Sequence, residues 1–132
     1  METPFVKVAD IMRTSLHFVG GIDSVQDAIE QMKKHEVSSL VIEHRHDGDE
    51  YGLLTVHDIA AKVVAINRST ERTSVYEIMT KPALTLNGDM NVKYAIRLLA
   101  RLELTRALVV GDEGLLGLVT LRDLVLSYSS AD

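Results

Sequence analysis

The chain lacks cysteine entirely, which excludes disulfides, thiol nucleophiles and cysteine-ligated zinc, and suits a cytoplasmic setting. It lacks any apolar run near the roughly 20 residues that a membrane-spanning helix needs. Its start, Met1-Glu2-Thr3-Pro4-Phe5, carries an early acid and not the basic-then-apolar layout of a secretory signal. Basic charge is not in excess either. The net charge of −5 speaks against a nucleic-acid or anionic-membrane partner. No Ser-His-Asp order, no glutamate–histidine zinc motif and no Gly-x-x-x-x-Gly-Lys-[Ser/Thr] loop occurs, so the common enzymatic signatures are missing.

What is present is a duplication. Gly52-Leu53-Leu54-Thr55-Val56-His57-Asp58-Ile59 and Gly117-Leu118-Val119-Thr120-Leu121-Arg122-Asp123-Leu124 follow one pattern, 65 residues apart (117 − 52). Upstream, Val8-Ala9-Asp10-Ile11-Met12 matches Val75-Tyr76-Glu77-Ile78-Met79 at an offset of 67 (75 − 8). That offset also carries Val25, Ala28, Ile29 and Met32 onto Val92, Ala95, Ile96 and Leu99. The second copy has lost two residues in the polar stretch around Arg45–Glu50, where a loop tolerates it.

Each copy reads as a short helical lead-in followed by β-α-β-β-α, an α/β (mixed) architecture. Ser24 and Asn91 are good helix N-caps, and apolar residues then recur at helical spacing. Leu40–Ile42 and Leu108–Val110 are β-rich runs, each followed by turn residues and a second strand, the pattern of a hairpin. Thr55 and Thr120 open the last helices. The expected division is residues 1–66 and 75–132, joined by a polar linker at 67–74, with Ser127–Asp132 fraying. In the last helix of copy one, Ile59-Ala60-Ala61-Lys62-Val63-Val64-Ala65-Ile66 leaves only Lys62 polar. A helix apolar nearly all round is buried on more than one side, and a second subunit is the simplest cover. A homodimer is the expectation.

The copies differ in charge. Residues 8–64 hold five Lys/Arg and ten Asp/Glu, whereas residues 75–128 hold six of each, and all five histidines fall in the first half.

The Thr-x-x-Asp steps admit two readings. As capping boxes, Thr55 with Asp58 and Thr120 with Asp123 simply terminate helices; Ser24-Val25-Gln26-Asp27 has the same grammar with no other sign of a site. Capping does not account for the preceding glycine or for His57 and Arg122 directly before the acids. A helix start with free N–H groups, a hydroxyl and a basic side chain can seat a phosphate, and a carboxylate can accept both hydroxyls of a ribose. A nucleotide hydrolase built on Asp58 or Asp123 with His57 is a further alternative, but it needs a positioned base and a metal that the sequence does not supply. His44-Arg45-His46-Asp47-Gly48-Asp49-Glu50 contains metal-ligand residue types without an EF-hand spacing, and reads first as a solvated hairpin loop.

The doubled unit resembles the CBS (cystathionine-β-synthase type) domain in its tandem pair. The resemblance rests on Asp10-Ile11-Met12 and Glu77-Ile78-Met79, the β-α-β-β-α order, and Gly-x-x-Thr-x-x-Asp closing each copy, and it covers residues 8–128. It implies two repeats packed with pseudo-two-fold symmetry, and a stand-alone regulatory module rather than an enzyme. No cofactor would be required. An adenosine-containing regulator (AMP, ADP, ATP, NAD or S-adenosylmethionine) would bind in the cleft between copies and signal to an effector protein. By position, Asp58 and Asp123 would hold ribose hydroxyls, and Thr55 and Thr120 ribose or phosphate, beside His57 and Arg122. The adenine pocket would draw on Leu16, His17, Val37, Ser38, Ser39, Lys81, Pro82, Ala83, Leu84, Thr105, Arg106 and Ala107. Because an imidazole is mostly uncharged at neutral pH, copy two is expected to be the better phosphate site. Arg106, standing where copy one has Ser39, would either fill that pocket or reach a phosphate. A dimeric interaction module without a ligand is the competing reading.

Overall fold

A computed structural model describes residues 5–130, leaving aside the side chains of residues 129 and 130. The start of the N-terminal segment read above for a signal, residues 1–4, lies outside the described residues.

The two copies fold alike. Copy one runs β1 (Phe18–Val19), α1 (Val25–His35), β2 (Ser39–Ile42), β3 (Gly52–Thr55) and α2 (Val56–Ile59). Copy two runs β4 (Thr85–Asn87), α3 (Val92–Leu102), β5 (Arg106–Gly111), β6 (Gly114–Thr120) and α4 (Leu121–Ser130). In each, the first two strands pair in parallel across the helix and the last two form an antiparallel hairpin. The result is two three-stranded mixed sheets, the α/β class expected.

Local chemistry sets the helix limits. The Ser24 hydroxyl accepts the Asp27 N–H at 3.0 Å, and Val25, Ala28 and Met32 supply the buried stripe of α1. The Asn91 side chain accepts the Lys93 N–H at 2.9 Å, and Val92, Ala95 and Leu99 do the same for α3. Both helices stop at a glutamate in the left-handed region, Glu36 at φ 53° and Glu103 at φ 57°, whose N–H closes the last turn.

Two elements depart from expectation. The apolar helix after Thr55 is a single α-turn that widens into a π-helical segment, Ala60–Val64. At the other end, α4 continues through Ser130 where fraying was expected from Ser127, because Leu124 is fully buried and Tyr128 packs on the core behind it. The last two residues of that tail, 131–132, lie outside the described residues.

The compact units are cut differently from the sequence copies. One comprises residues 17–83, and the other residues 1–16 with 84–132. Val75 and Ile78, from the lead-in of copy two, are buried with Val19, Val25, Leu40 and Leu54 of copy one. Conversely Val8, Ile11 and Met12 pack with Leu86, Leu99, Val109 and Val119. Each core is completed by the other copy's lead-in.

The motif glycines make that exchange possible. Arg13 and Leu118 bond reciprocally through their backbones, at 2.8 and 2.9 Å. A Cβ on Gly117 would lie 2.5 Å from the Arg13 carbonyl oxygen, closer than carbon and oxygen can approach. Leu53 and Thr80 make the matching pair at 2.9 Å, and there a Cβ on Gly52 would meet the Ile42 side chain at 2.9 Å. The glycine that capping left unexplained is a crossing point for the lead-in. Among the described residues no helix is long and apolar enough to cross a membrane.

Candidate ligand sites at the two Thr-x-x-Asp helix starts

In the 17–83 unit the capping reading is realised in full. The Thr55 hydroxyl accepts the Asp58 N–H at 3.1 Å, and the Asp58 carboxylate accepts the Thr55 N–H at 3.0 Å. The same Oδ2 takes the Thr55 hydroxyl proton at 3.1 Å. The remaining oxygen, Oδ1, lies 3.3 Å from Lys62 Nζ, and the Asp58 side chain is only 10% exposed. Lys62 also donates to the Ile78 carbonyl at 3.0 Å, so it ties the helix to the exchanged lead-in. His57 is exposed on the first turn.

The second helix start is arranged differently. The Thr120 hydroxyl accepts the Asp123 N–H at 3.1 Å, as a cap should. The Asp123 carboxylate, however, is gripped side-on by Arg13: Nε donates to Oδ2 at 2.9 Å and Nη2 to Oδ1 at 3.4 Å. Arg122 Nη1 stands 3.7 Å from Oδ1. The Asp123 side chain is 21% exposed and that of Arg13 61%. The Arg13 hydrogen bond holds the Asp123 carboxyl below the usual carboxylate range, against the opposing effect of partial burial, with help from the charge of Arg13 and the Thr120 hydroxyl. Arg106 is paired across the hairpin with Thr120. Half-buried, it has its guanidinium pKa lowered first by burial and then by the like charge of Arg13.

The other expected pocket residues divide between the units. His17, directly before β1, stacks on His35 with ring centroids 3.9 Å apart. Val37 packs partly on the core, Ser38 is exposed with its carbonyl accepting the Val56 N–H at 3.0 Å, and Ser39 opens β2. Lys81 points to the hairpin loop, donating to Asp49 at 2.8 Å. Pro82 is exposed and Ala83 buried, with the Ala83 N–H on the Tyr51 carbonyl at 2.7 Å. In the other unit, Leu16 is partly buried and Leu84 packs on the core, Thr105 accepts the Leu121 N–H at 2.7 Å, and Ala107 is a core residue.

The histidine-rich stretch is a loop organised around Asp49, which takes Lys81, the Arg45 backbone N–H at 3.1 Å and the Arg45 guanidinium at 3.4 Å. These contacts, Lys81 first, hold the Asp49 carboxyl far below its ordinary value. The loop borders a cavity of about 830 Å³ with Gly20, Ile22, Tyr76 and Met79. Among the described residues, no three His, Cys, Asp or Glu side chains are grouped to hold a metal.

Comparison with known proteins settles the family. The model of the CBS domain matches residues 8–65 and again residues 75–130. The chain belongs to the CBS-domain family. It is similar to CBS domain-containing protein YhcV of Bacillus subtilis, 31% identical over 93% of this chain and 86% of that protein. It is also similar to the uncharacterized protein MK0525 of Methanopyrus kandleri, 27% identical over 91% of this chain but only 61% of that longer protein. Among solved structures, the hexameric CBS-CP12 protein from bloom-forming cyanobacteria superposes with a TM-score of 0.89 at 33% identity, over 95% of this chain and 73% of that one. The CBS domain pair of protein MJ0100, in complex with 5′-methylthioadenosine and S-adenosylmethionine, gives a TM-score of 0.82 at 26% identity, over 98% of this chain and all of that one. CBS pairs are in general regulatory modules, and that one binds adenosyl ligands.

Within this CBS pair, the sequence alone does not pair the Arg13 and Lys62 side chains with the two acids. Arg13 was legible in part: the 67-residue offset aligns it with Thr80 (80 − 13), directly after the Ile-Met of each lead-in. That alignment shows an arginine in one copy only. What it could not show is that the lead-in crosses to the other copy's helix start.

Proposed function

We propose that this CBS pair is a regulatory module that takes an adenosine-containing ligand and reports its presence to a partner protein. Asp123 would accept the ribose hydroxyls, with Thr120 and Arg122 toward the ribose and phosphate. The observation that carries the reading is the Asp123 carboxylate, 21% exposed and charge-paired to a side chain that is itself largely in solvent. A carboxylate so held can exchange one partner for another, and it occupies the position at which the family's ribose-binding acid is expected. Asp58 would be the weaker counterpart, since its own helix and Lys62 already satisfy it. A panel of AMP, ADP, ATP, NAD and S-adenosylmethionine tests this by thermal shift. A ligand that binds only the folded state raises the melting temperature, and Asp123→Ala should abolish the rise. No shift with any of the five overturns it.

A second observation favours self-association alongside ligand binding. Val56 and Val64 are 50% and 58% exposed on the apolar helix of copy one. They flank a groove of about 380 Å³ floored by Ile29, Met32, Val37 and Ile59. Exposed apolar surface of this kind marks an interaction face, and a second copy of the chain would cover it. Light scattering on wild type and Val64→Asp tests the reading: the wild type should be at least dimeric and the variant smaller. A monomeric wild type overturns it.

A further inference from the structure

We infer that Arg13 is a displaceable internal counter-ion, and that it makes the Asp123 site select a phosphate-bearing adenosine ligand over a neutral or cationic one. The inference rests on the adenosine reading above and names the ligand subclass. Arg13 covers the two carboxylate oxygens of Asp123 side-on, through Nε and Nη2. A vicinal diol binding bidentately requires the same pair of oxygens. Ligand entry therefore displaces the guanidinium.

Displacement is feasible because Arg13 is anchored by its backbone and not by its side chain. Two hydrogen bonds to Leu118 fix the main chain at 2.8 and 2.9 Å, Gly117 lets the chains touch, and the side chain beyond is 61% exposed. Once released, Arg13 has lost its anion and still feels the like charge of Arg106. Arg122 is a second guanidinium beside the same carboxylate, 3.7 Å from Oδ1. A neutral nucleoside leaves the released charge of Arg13 without a counter-ion. A sulfonium adds to it. A phosphate restores the counter-charge and offers Arg13 a second bidentate partner of the geometry it gave up. In the other unit the aligned residue is Thr80, and Asp58 is balanced by a lysine that also holds a backbone carbonyl, so that site has no equivalent exchange.

Isothermal titration of AMP, adenosine and S-adenosylmethionine into wild type, Arg13→Ala, Arg13→Lys and Asp123→Ala tests the exchange. Wild type should prefer AMP. Arg13→Ala should weaken AMP by about tenfold, the scale of lost charge-assisted hydrogen bonds. It should tighten adenosine by roughly threefold, because an exposed ion pair no longer has to be broken. Arg13→Lys should keep part of the AMP preference. Melting curves confirm that the variants fold. If AMP and adenosine shift together in Arg13→Ala, the exchange is wrong while the adenosine reading survives, provided Asp123→Ala still abolishes AMP binding. If none of the three ligands binds wild type, both fall.

Discussion

Asp58 and Asp123 occupy equivalent places in two copies of one fold, yet they are spent differently. Asp58 satisfies its own helix: one oxygen closes on the Thr55 N–H and hydroxyl, the other meets Lys62, and 10% of the side chain reaches solvent. Asp123 is held from outside its helix by a guanidinium that arrives with the exchanged lead-in. The difference traces to two substitutions between copies. Thr80 stands where Arg13 does, and Ser127 where Lys62 does (62 + 65). The same motif therefore closes on its own helix in one unit and is paired from outside its helix in the other. A Thr-x-x-Asp step does not say which until its external partner is known.

The largest effects should come from the glycines that admit the lead-ins. Gly117→Ala drives a Cβ against the Arg13 carbonyl oxygen, a backbone atom that cannot rotate away. It should cost about 3 kcal/mol, the upper range for overpacking, and loosen the grip of Arg13 on Asp123. Gly52→Ala meets the Ile42 side chain first, which has some freedom to adjust, so about 1 kcal/mol is expected. Urea unfolding of the two variants measures the gap; equal losses would mean that the two crossings are equivalent after all.

Next come the acids themselves. Asp58→Ala removes a complete capping box and strands Lys62 beside a buried position, and should destabilise by about 1–2 kcal/mol. Asp123→Ala should cost less in denaturant, below about 1 kcal/mol for a solvent-screened pair, but should remove AMP binding. This crossing of stability and binding is the sharpest test of the comparison. Asp58→Ala with the larger loss of binding would reverse the assignment.

The duplication, the element order and the helix caps were all legible in the sequence because they are local. Ser24 and Asn91 cap the helices they were expected to cap, and the alternation of β and α follows from the periodicity of the apolar residues. What escaped was long-range. Nothing in Val8–Met12 says that it packs on Leu86 and Val119, more than seventy residues away, since an amphipathic turn fits either core. Without that crossing, Arg13 is a loop arginine and Gly117 an unexplained glycine. The π-helical widening at Ala60–Val64 was likewise invisible, because the composition that favours an α-helix is equally compatible with one extra residue in a turn.

Acid should separate two of the charge-paired carboxylates, Asp123 and Asp49. Asp123 and Asp49 both have folded-state values below the unfolded one, through Arg13 and Lys81 respectively. Each therefore contributes stability above the unfolded carboxylate value of about 4, and that contribution disappears as pH falls through the lower folded value. Lys81→Ala should flatten the loss of stability below pH 4 more than Arg13→Ala does, because Asp49 is held lower and its pair is nearly out of solvent. Urea midpoints measured between pH 2 and pH 5 give the slopes. A steeper acid loss in either variant would contradict the sign.

The smallest effect should be the one that does not distinguish the copies. Glu36 and Glu103 end α1 and α3 with φ of 53° and 57°, a left-handed conformation that costs a residue with a Cβ about 1 kcal/mol or more. Glycine removes that strain but gives the unfolded chain more freedom, so Glu36→Gly and Glu103→Gly should each stabilise by only about 0.5 kcal/mol. The two values should agree, since the cap geometry is the same at both ends. Agreement there, beside divergence at the acids and the glycines, would place the functional asymmetry in the exchanged lead-ins and their charges rather than in the common scaffold.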